Sequence, residues 1–349
     1  MTRVLIRWCT LAGVVAGVLG LTAQASGATG WTVVTPPALP PGTQNLLSGS
    51  FALSDTNTWA VGTTVNDSTG AQAPLVLHRN GTAWSTVATP TPSGSTPNWA
   101  FKSVAASSAS DAWAVGVQSA GTKIHNSLIE HWNGTAWSVV AGPNEGVLNA
   151  VLDFGPANAW AFADFSVLHW NGTAWSVVSG ALPALAVSAD GPNDIWGIYR
   201  NDQVTHYNGT SWSATTLSAP GGTPVFQSVE ALSPTDVWVA GSVGNGPVLE
   251  HFNGTSWQVV KLPSSFSAFG LNAITARSDS DLWVFSNTGS PGVPLLLAHF
   301  NGTSWTTSPS PLPPNTLVSI GSAASSPSHV WLFGTNYNAG NEPLILSHS

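Results

Sequence analysis

Short apolar runs, separated by turn-forming residues, recur along almost the whole chain, and no stretch places its apolar residues at helical spacing. The runs come in a fixed order. A run of small and apolar residues such as Lys102-Ser103-Val104-Ala105-Ala106 leads into a turn, Ser-x-x-Asp in its clearest copies (Ser108 with Asp111, Ser233 with Asp236, Ser278 with Asp281). Asp/Asn-x-Trp and small or branched residues follow, as in Trp113-Ala114-Val115-Gly116. After a spacer of variable length come Ser127-Leu128-Ile129-Glu130-His131-Trp132, then Asn133-Gly134, then Ala136-Trp137-Ser138-Val139-Val140. Runs of this length and composition predict strands A to D of one unit. Asn-Gly between strands C and D predicts a type I′ hairpin, with positive φ at both central positions.

The unit is repeated. His-x-Asn-Gly-Thr-x-Trp starts at His78, His131, His169, His206, His251 and His299, and the segment HWNGTAWSVV is identical at 131–140 and 169–178. The strand B tryptophans are Trp59, Trp113, Trp160, Trp196, Trp238, Trp283 and Trp331, six steps over 272 residues with a mean period of about 45. A period of roughly 40–50 built from strands denotes a propeller blade. The sequence finishes Pro343-Leu344-Ile345-Leu346-Ser347-His348-Ser349, in which Leu344–His348 matches a strand C, and Trp31-Thr32-Val33-Val34 matches a strand D without a strand C before it. The expected fold is all-β: a single seven-bladed β-propeller over residues 29–349, four antiparallel strands per blade. The strand around Trp31 pairs with Leu344–His348 and closes the ring, leaving no open edge there. Fourteen hairpin and strand B tryptophans, at about 2–3 kcal/mol each by area, make the repeats scaffold first.

Composition adds the compartment. Arg3 and Arg7 followed by the apolar run 9–21 and Ala23-Gln24-Ala25 read as a secretory signal peptide, residues 1–25, with cleavage up to residue 28. The run is too short for a span of about 20 residues, and no later segment could cross a bilayer. The sole cysteine, Cys9, lies in this signal, so the mature protein is expected outside the cell without disulfides. Charged residues are only 7%, and loss of Arg3 and Arg7 leaves six basic residues against sixteen acidic ones. That balance excludes a nucleic-acid or anionic-membrane surface.

These repeats resemble those of secreted bacterial seven-bladed propellers carrying SxxDxWAVG and HxNGTxW motifs, over about residues 30–349. They are similar to the hairpins of Asp-box (BNR-type) propellers and to propeller lectins, although the Asp-box order Ser-x-Asp-x-Gly-x-x-Trp is not met. Kelch glycine pairs and the Trp-Asp ending of WD40 repeats are missing. The resemblance implies a propeller and, by its lectin branch, a carbohydrate ligand. A sialidase would need an arginine triad, and the mature chain offers only Arg79, Arg200 and Arg277.

In such a ring the A–B and C–D turns share one face, and the B–C and D–A connections share the other. The second face holds the length variation, with long loops expected at 63–74, 89–100, 118–126 and 335–343 and short ones at Asp164-Phe165 and Arg200-Asn201-Asp202. Loops on a rigid scaffold carry function. Ligand-binding candidates there are Trp99, Lys123, His125, Asp164, Tyr199, Arg200, Asp202 and Tyr337: aromatic rings to stack on sugars, polar groups for hydroxyls. The plainer reading is that Trp99 plugs its own blade. An alternative set follows the repeat histidines, namely Trp132, Trp170, Tyr207, Phe252 and Phe300; these pack between blades or line inter-blade sugar pockets that gain strength by multivalency. One histidine per blade does not converge as metal ligands do, and no nucleotide, Ser-His-Asp or Cys/His signature is present. No catalytic residue, metal or cofactor is assigned. The expected function is non-catalytic binding of a glycan or cell-surface polymer. The alternatives are a protein-interaction scaffold, or a glycoside hydrolase or lyase using acids such as Asp153, Asp164 and Asp202.

Overall fold

The computed structural model describes residues 30–90, 98–120, 124–200, 202–266, 269–287, 295–313 and 315–349; the expected signal peptide, the loop stretch 91–97 and Lys123 lie outside the described residues. The fold is a seven-bladed β-propeller of seven four-stranded antiparallel sheets. Residues 43–86, 99–139, 148–177, 186–216, 225–259 and 273–308 form blades 1 to 6, with strands A to D in chain order. Blade 7 takes Val318–Ser325, Val330–Asn336 and Glu342–His348 from the end of the chain and Thr32–Val34 as its outermost strand. Thr32 pairs with Ser347, Val33 with Leu346 and Val34 with Ile345. The ring therefore closes as the chain ends predict.

The blades are held to one another by aromatic rings. Each strand B tryptophan faces the next blade and meets two groups of its C–D hairpin. Trp59 lies 5.3 Å from Trp132 and 5.4 Å from Trp137, and Trp113 lies 5.0 Å from both Trp170 and Trp175. Trp160 meets Tyr207 and Trp212, Trp196 meets Phe252 and Trp257, and Trp238 meets Phe300 and Trp305. At the closing junctions Trp283 meets Trp31 and His348, while Trp331 meets Trp84 and the Arg79 guanidinium, 5.0 Å from its ring. Tilted and edge-on pairs of this kind add to what area burial alone contributes.

Within a blade the repeat histidine links strand C to strand B. Its Nε2 lies 2.6–3.0 Å from Oδ1 of the Asp or Asn two residues before the tryptophan, in blades 1 to 6. Four of those tryptophans donate their own Nε1–H to the same oxygen. His78 stacks on Trp59 at 3.7 Å and His206 on Trp196 at 3.8 Å. One side-chain oxygen thus satisfies two ring N–H groups, and DxW with His reads as one structural unit.

Two local expectations change. The Asn-Gly-Thr hairpins of blades 2 to 6 are four-residue loops, since Trp132 pairs with Trp137 and the later copies follow suit. Only the glycine has positive φ, 93° at Gly134. The asparagine keeps negative φ because its side chain is the cap: Asn133 Oδ1 accepts the N–H groups of Thr135 and Ala136 at 3.0 Å. Likewise 63–74 and 118–126 are largely not loops. Strands B and C run on as tall hairpins to Asn66 and Gln72 in blade 1 and to Ala120 and Ile124 in blade 2.

Candidate functional site

The glycine ending Trp-Ala-Val-Gly has a specific cause. A Cβ on Gly62, Gly116, Gly241 or Gly334 would run into a strand A carbonyl oxygen, that of Leu46, Ala100, Val225 or Ser319. The carbonyl comes close because strand A carries a β-bulge beside it. The register skips at Ser48, Lys102, Asn149, Gln227 and Gly321. Blades 4 and 6 do the same at the start of strand A, where the N–H groups of Leu185 and Asn272 reach Ile198 O and Phe285 O. A bulge leaves one extra residue unpaired and re-aims its side chain.

Strand A is the innermost strand, flanked by the A strands of both neighbouring blades. A side chain exposed there has only the central channel to face. Lys102, Leu185 and Gln227 are exposed, and Ser48, Asn149 and Asn272 are half-buried. The residues beside them hold the ring shut: the hydroxyls of Ser103, Ser188 and Ser228 accept the N–H groups of Val151, Ala231 and Ile274 from the next blade. The bulge residues therefore line the channel on a rigid frame. They stand toward the variable face, because Asn149 Nδ2 donates to Asp164 in the blade 3 B–C turn at 2.8 Å and Asn272 is bonded to Asn287 just past strand B.

This ring is missing from the sequence expectations, yet a signal for it exists. The seven copies read Leu-Ser-Gly, Phe-Lys-Ser, Leu-Asn-Ala, Ala-Leu-Ala, Phe-Gln-Ser, Leu-Asn-Ala and Ile-Gly-Ser. The middle residue alone ranges over charged, amide, apolar and small types.

The sequence-based candidates scatter. Trp99 is a correction: it is 3% exposed, inside the core of blades 1 to 3, and offers no stacking face. His125 is exposed on the tall blade 2 hairpin, with Nδ1 2.9 Å from Ser119 Oγ. Tyr199 and Arg200 form a cation–π pair at 4.9 Å, Arg200 having φ 48° at the tip of the blade 4 turn. Asp202 belongs to the same turn, its N–H on the Arg200 carbonyl. Tyr337 is exposed in the short 3-10 turn of blade 7. Among the described candidates only Asp164 touches the channel ring. Beside it Phe165, not singled out from the sequence, is 86% exposed.

The alternative set sits between blades. Trp132 and Trp170 donate Nε1–H to the Ala109 and Pro156 carbonyls, and Tyr207 donates its hydroxyl to Gly209. Phe252 and Phe300 have no such donor. At the junction of blades 5 and 6 a cavity of about 530 Å³ opens between Trp238, Phe300, Trp305 and residues 260–263.

Asp153 and Asp164 do not form a hydrolytic pair. Asp153 is fully buried at the turn-face end of blade 3, accepting the N–H groups of Ser107 and Gly155. Burial and the neighbouring Asp111 charge push its pKa well up. Asp164 stands past the other end of that strand pair, which five residues at about 3.3 Å place roughly 16 Å away, beyond the 5–10 Å of a glycosidase pair. Ser107, Asp111 and His131 touch, but Asp111 stands between the other two, so His131 does not reach the Ser107 hydroxyl. Among the described residues no cluster could hold a metal ion, and no helix is long and apolar enough to cross a membrane.

This geometry defines a seven-bladed β-propeller with a variable channel mouth. No family model and no curated protein matches the chain. Solved structures do: YCF48 bound to D1 peptide, at 14% identity and TM-score 0.65 over 93% of this chain and 96% of that one, and YCF48 from Cyanidioschyzon merolae, at 14% and 0.64 over 91% and 98%. The WD40 β-propeller domain of Doa1 is similar at 11% identity and TM-score 0.55 over 92% and 97%. At these identities the likeness is one of fold.

Proposed function

We propose that the protein is an exported, non-catalytic binding protein that holds a glycan or cell-surface polymer over the variable-face mouth of its channel. The observation that carries this is the innermost-strand irregularity, a frame repeated seven times at a position that varies among Ser48, Lys102, Asn149, Leu185, Gln227, Asn272 and Gly321. Amide and hydroxyl groups at Ser48, Asn149, Gln227 and Asn272 suit a hydroxylated ligand, with Leu185 as an apolar contact. The amino-terminal residues 1–25 supply export, checked by the first residue found on protein recovered from culture medium.

Residues 26–349 on a glycan and bacterial-polysaccharide array, with product release followed in the same wells, test the reading. Expected is binding without turnover that Leu185→Asp abolishes and Trp132→Phe leaves intact. The reverse pattern would move the site to the inter-blade junctions, and product release would make the protein an enzyme. A protein partner is the second reading. It is favoured by Phe165 at 86% exposure and Tyr337 at 47% on the same face, and the similar YCF48 structure holds a peptide. Silence on the array with capture of a peptide library would select it.

A further inference from the structure

The hydrogen bonds of the channel mouth fix which groups remain free for a ligand. The Asn287 N–H donates to Asn272 Oδ1 at 2.8 Å, and a backbone N–H can only donate. The other end of the Asn272 amide is then its NH2, which donates to Gln227 at 3.1 Å, so the Gln227 atom receiving it is Oε1. Asn287 is oriented in the same way, its Oδ1 accepting the Ile320 N–H at 2.6 Å. The relay runs from blade 7 through blade 6 to blade 5. It leaves the NH2 groups of Gln227 and Asn287 without a partner among the described residues.

Three blades away on the same ring, Lys102 is exposed, and among the described residues its ammonium has no carboxylate within ion-pair reach. The other described cations are otherwise placed. Arg79 lies over Trp331, Arg200 over Tyr199, Arg277 is bonded to Asp281, and Lys261 follows the outer strand of blade 5. In a chain of net charge −8 a lone ammonium on the innermost strand is a local reversal of sign. Asp164, a carboxylate tied to the ring, already accepts from Asn149.

We propose, on the glycan reading above, that the ligand is a carboxylate-bearing polysaccharide of the uronic acid type. Its carboxylate pairs with Lys102, and its hydroxyl or ring oxygens accept from the Gln227 and Asn287 amides. Free donors at a mouth select acceptors, and a charged donor selects an anion over a neutral isostere. Repetition along the polymer raises the apparent affinity of one modest contact.

Polygalacturonate and its fully methyl-esterified form share a backbone and differ in that charge. Binding of residues 26–349 to each is measured by interferometry at low and high salt. The acid is expected to bind about tenfold more tightly than the ester, as one charge-assisted contact gives, with the difference shrinking at high salt. Lys102→Met removes the difference and Lys102→Arg keeps it, while Gln227→Leu weakens both polymers alike. Melting temperatures of these surface variants serve as the folding control. Equal binding of acid and ester, or an unchanged preference in Lys102→Met, overturns the carboxylate assignment. Failure on both polymers with binding elsewhere on the array overturns it too, leaving the glycan reading standing. Failure on every glycan overturns that reading itself.

Discussion

The junctions between blades and the ring around the channel are built from the same seven repeats and spend them differently. At the junctions the residue types barely change: tryptophan against tryptophan in most copies, with a histidine and an acid or amide behind. In the ring the backbone is the constant element and the side chain is the variable one, passing from Lys102 to Asn149 to Leu185 in consecutive blades. Constancy where blades meet is what a closed ring demands, since seven near-identical angles must sum to a full turn. Freedom at the bulge costs little, because that residue has no neighbour across the strand to fit.

Removing residues 30–34 strikes the first region hardest. It takes Trp31 out from between blades 6 and 7 and bares the edge of Glu342–His348. A fall of more than about 10 °C in melting temperature is expected, from a loss of several kcal/mol, together with self-association by light scattering. An unchanged melt would refute closure as the source of stability.

A smaller effect comes from a carboxyl inside the packing. Glu130 is fully buried, neither side-chain oxygen has a partner among the described residues, and burial pushes its pKa up to about 8; Glu250 is pushed up to about 7. A raised carboxyl pKa means the folded state holds the proton longer than the unfolded one. The stability it allows is complete below about pH 4.5 and is lost as pH rises toward 8. Glu130→Gln, measured by urea titration, should gain on the order of 2–3 kcal/mol at pH 7 and nothing at pH 4. A gain of equal size at both pH values would show that charge is not the cause.

The smallest change sharpens the rule of constancy. Phe300→Trp puts at the junction of blades 5 and 6 the indole that Trp132 and Trp170 supply elsewhere, into an existing cavity of about 530 Å³. By analogy with Trp132 on Ala109, its N–H would reach the Asp279 carbonyl. A stabilisation of about 0.5–1.5 kcal/mol is expected, read as a rise of a few degrees. A loss would mean that this junction is shaped for something other than packing.

The junctions were legible in the sequence and the ring was not, for one reason. Trp31, the DxW tryptophans and the repeat histidines announce themselves by type and spacing, so blade number and closure follow from counting. A bulge is an irregularity of backbone pairing and leaves no residue type behind; Lys102 and Gln227 look like ordinary polar positions until the copies are aligned. The same blindness to backbone made Asn133-Gly134 look like a two-residue turn. Trp99 falls outside the repeat pattern and so drew two readings, and the plainer one holds: its strand carries it into the core rather than to a ligand. Asp153 misled, an acid near an opening in sequence but a buried staple between blades 2 and 3 in the fold.

The pairing of Thr32 with Ser347 spans 315 residues. During synthesis, at about 5–20 residues per second, the outermost strand of blade 7 waits roughly 15–60 s for its partner. Six blades can assemble in that interval, but the circle cannot be completed until Glu342–His348 has been made. The last step of folding therefore waits on the last strand to be supplied, and a product shortened before Glu342 would be left as an open arc rather than a smaller ring.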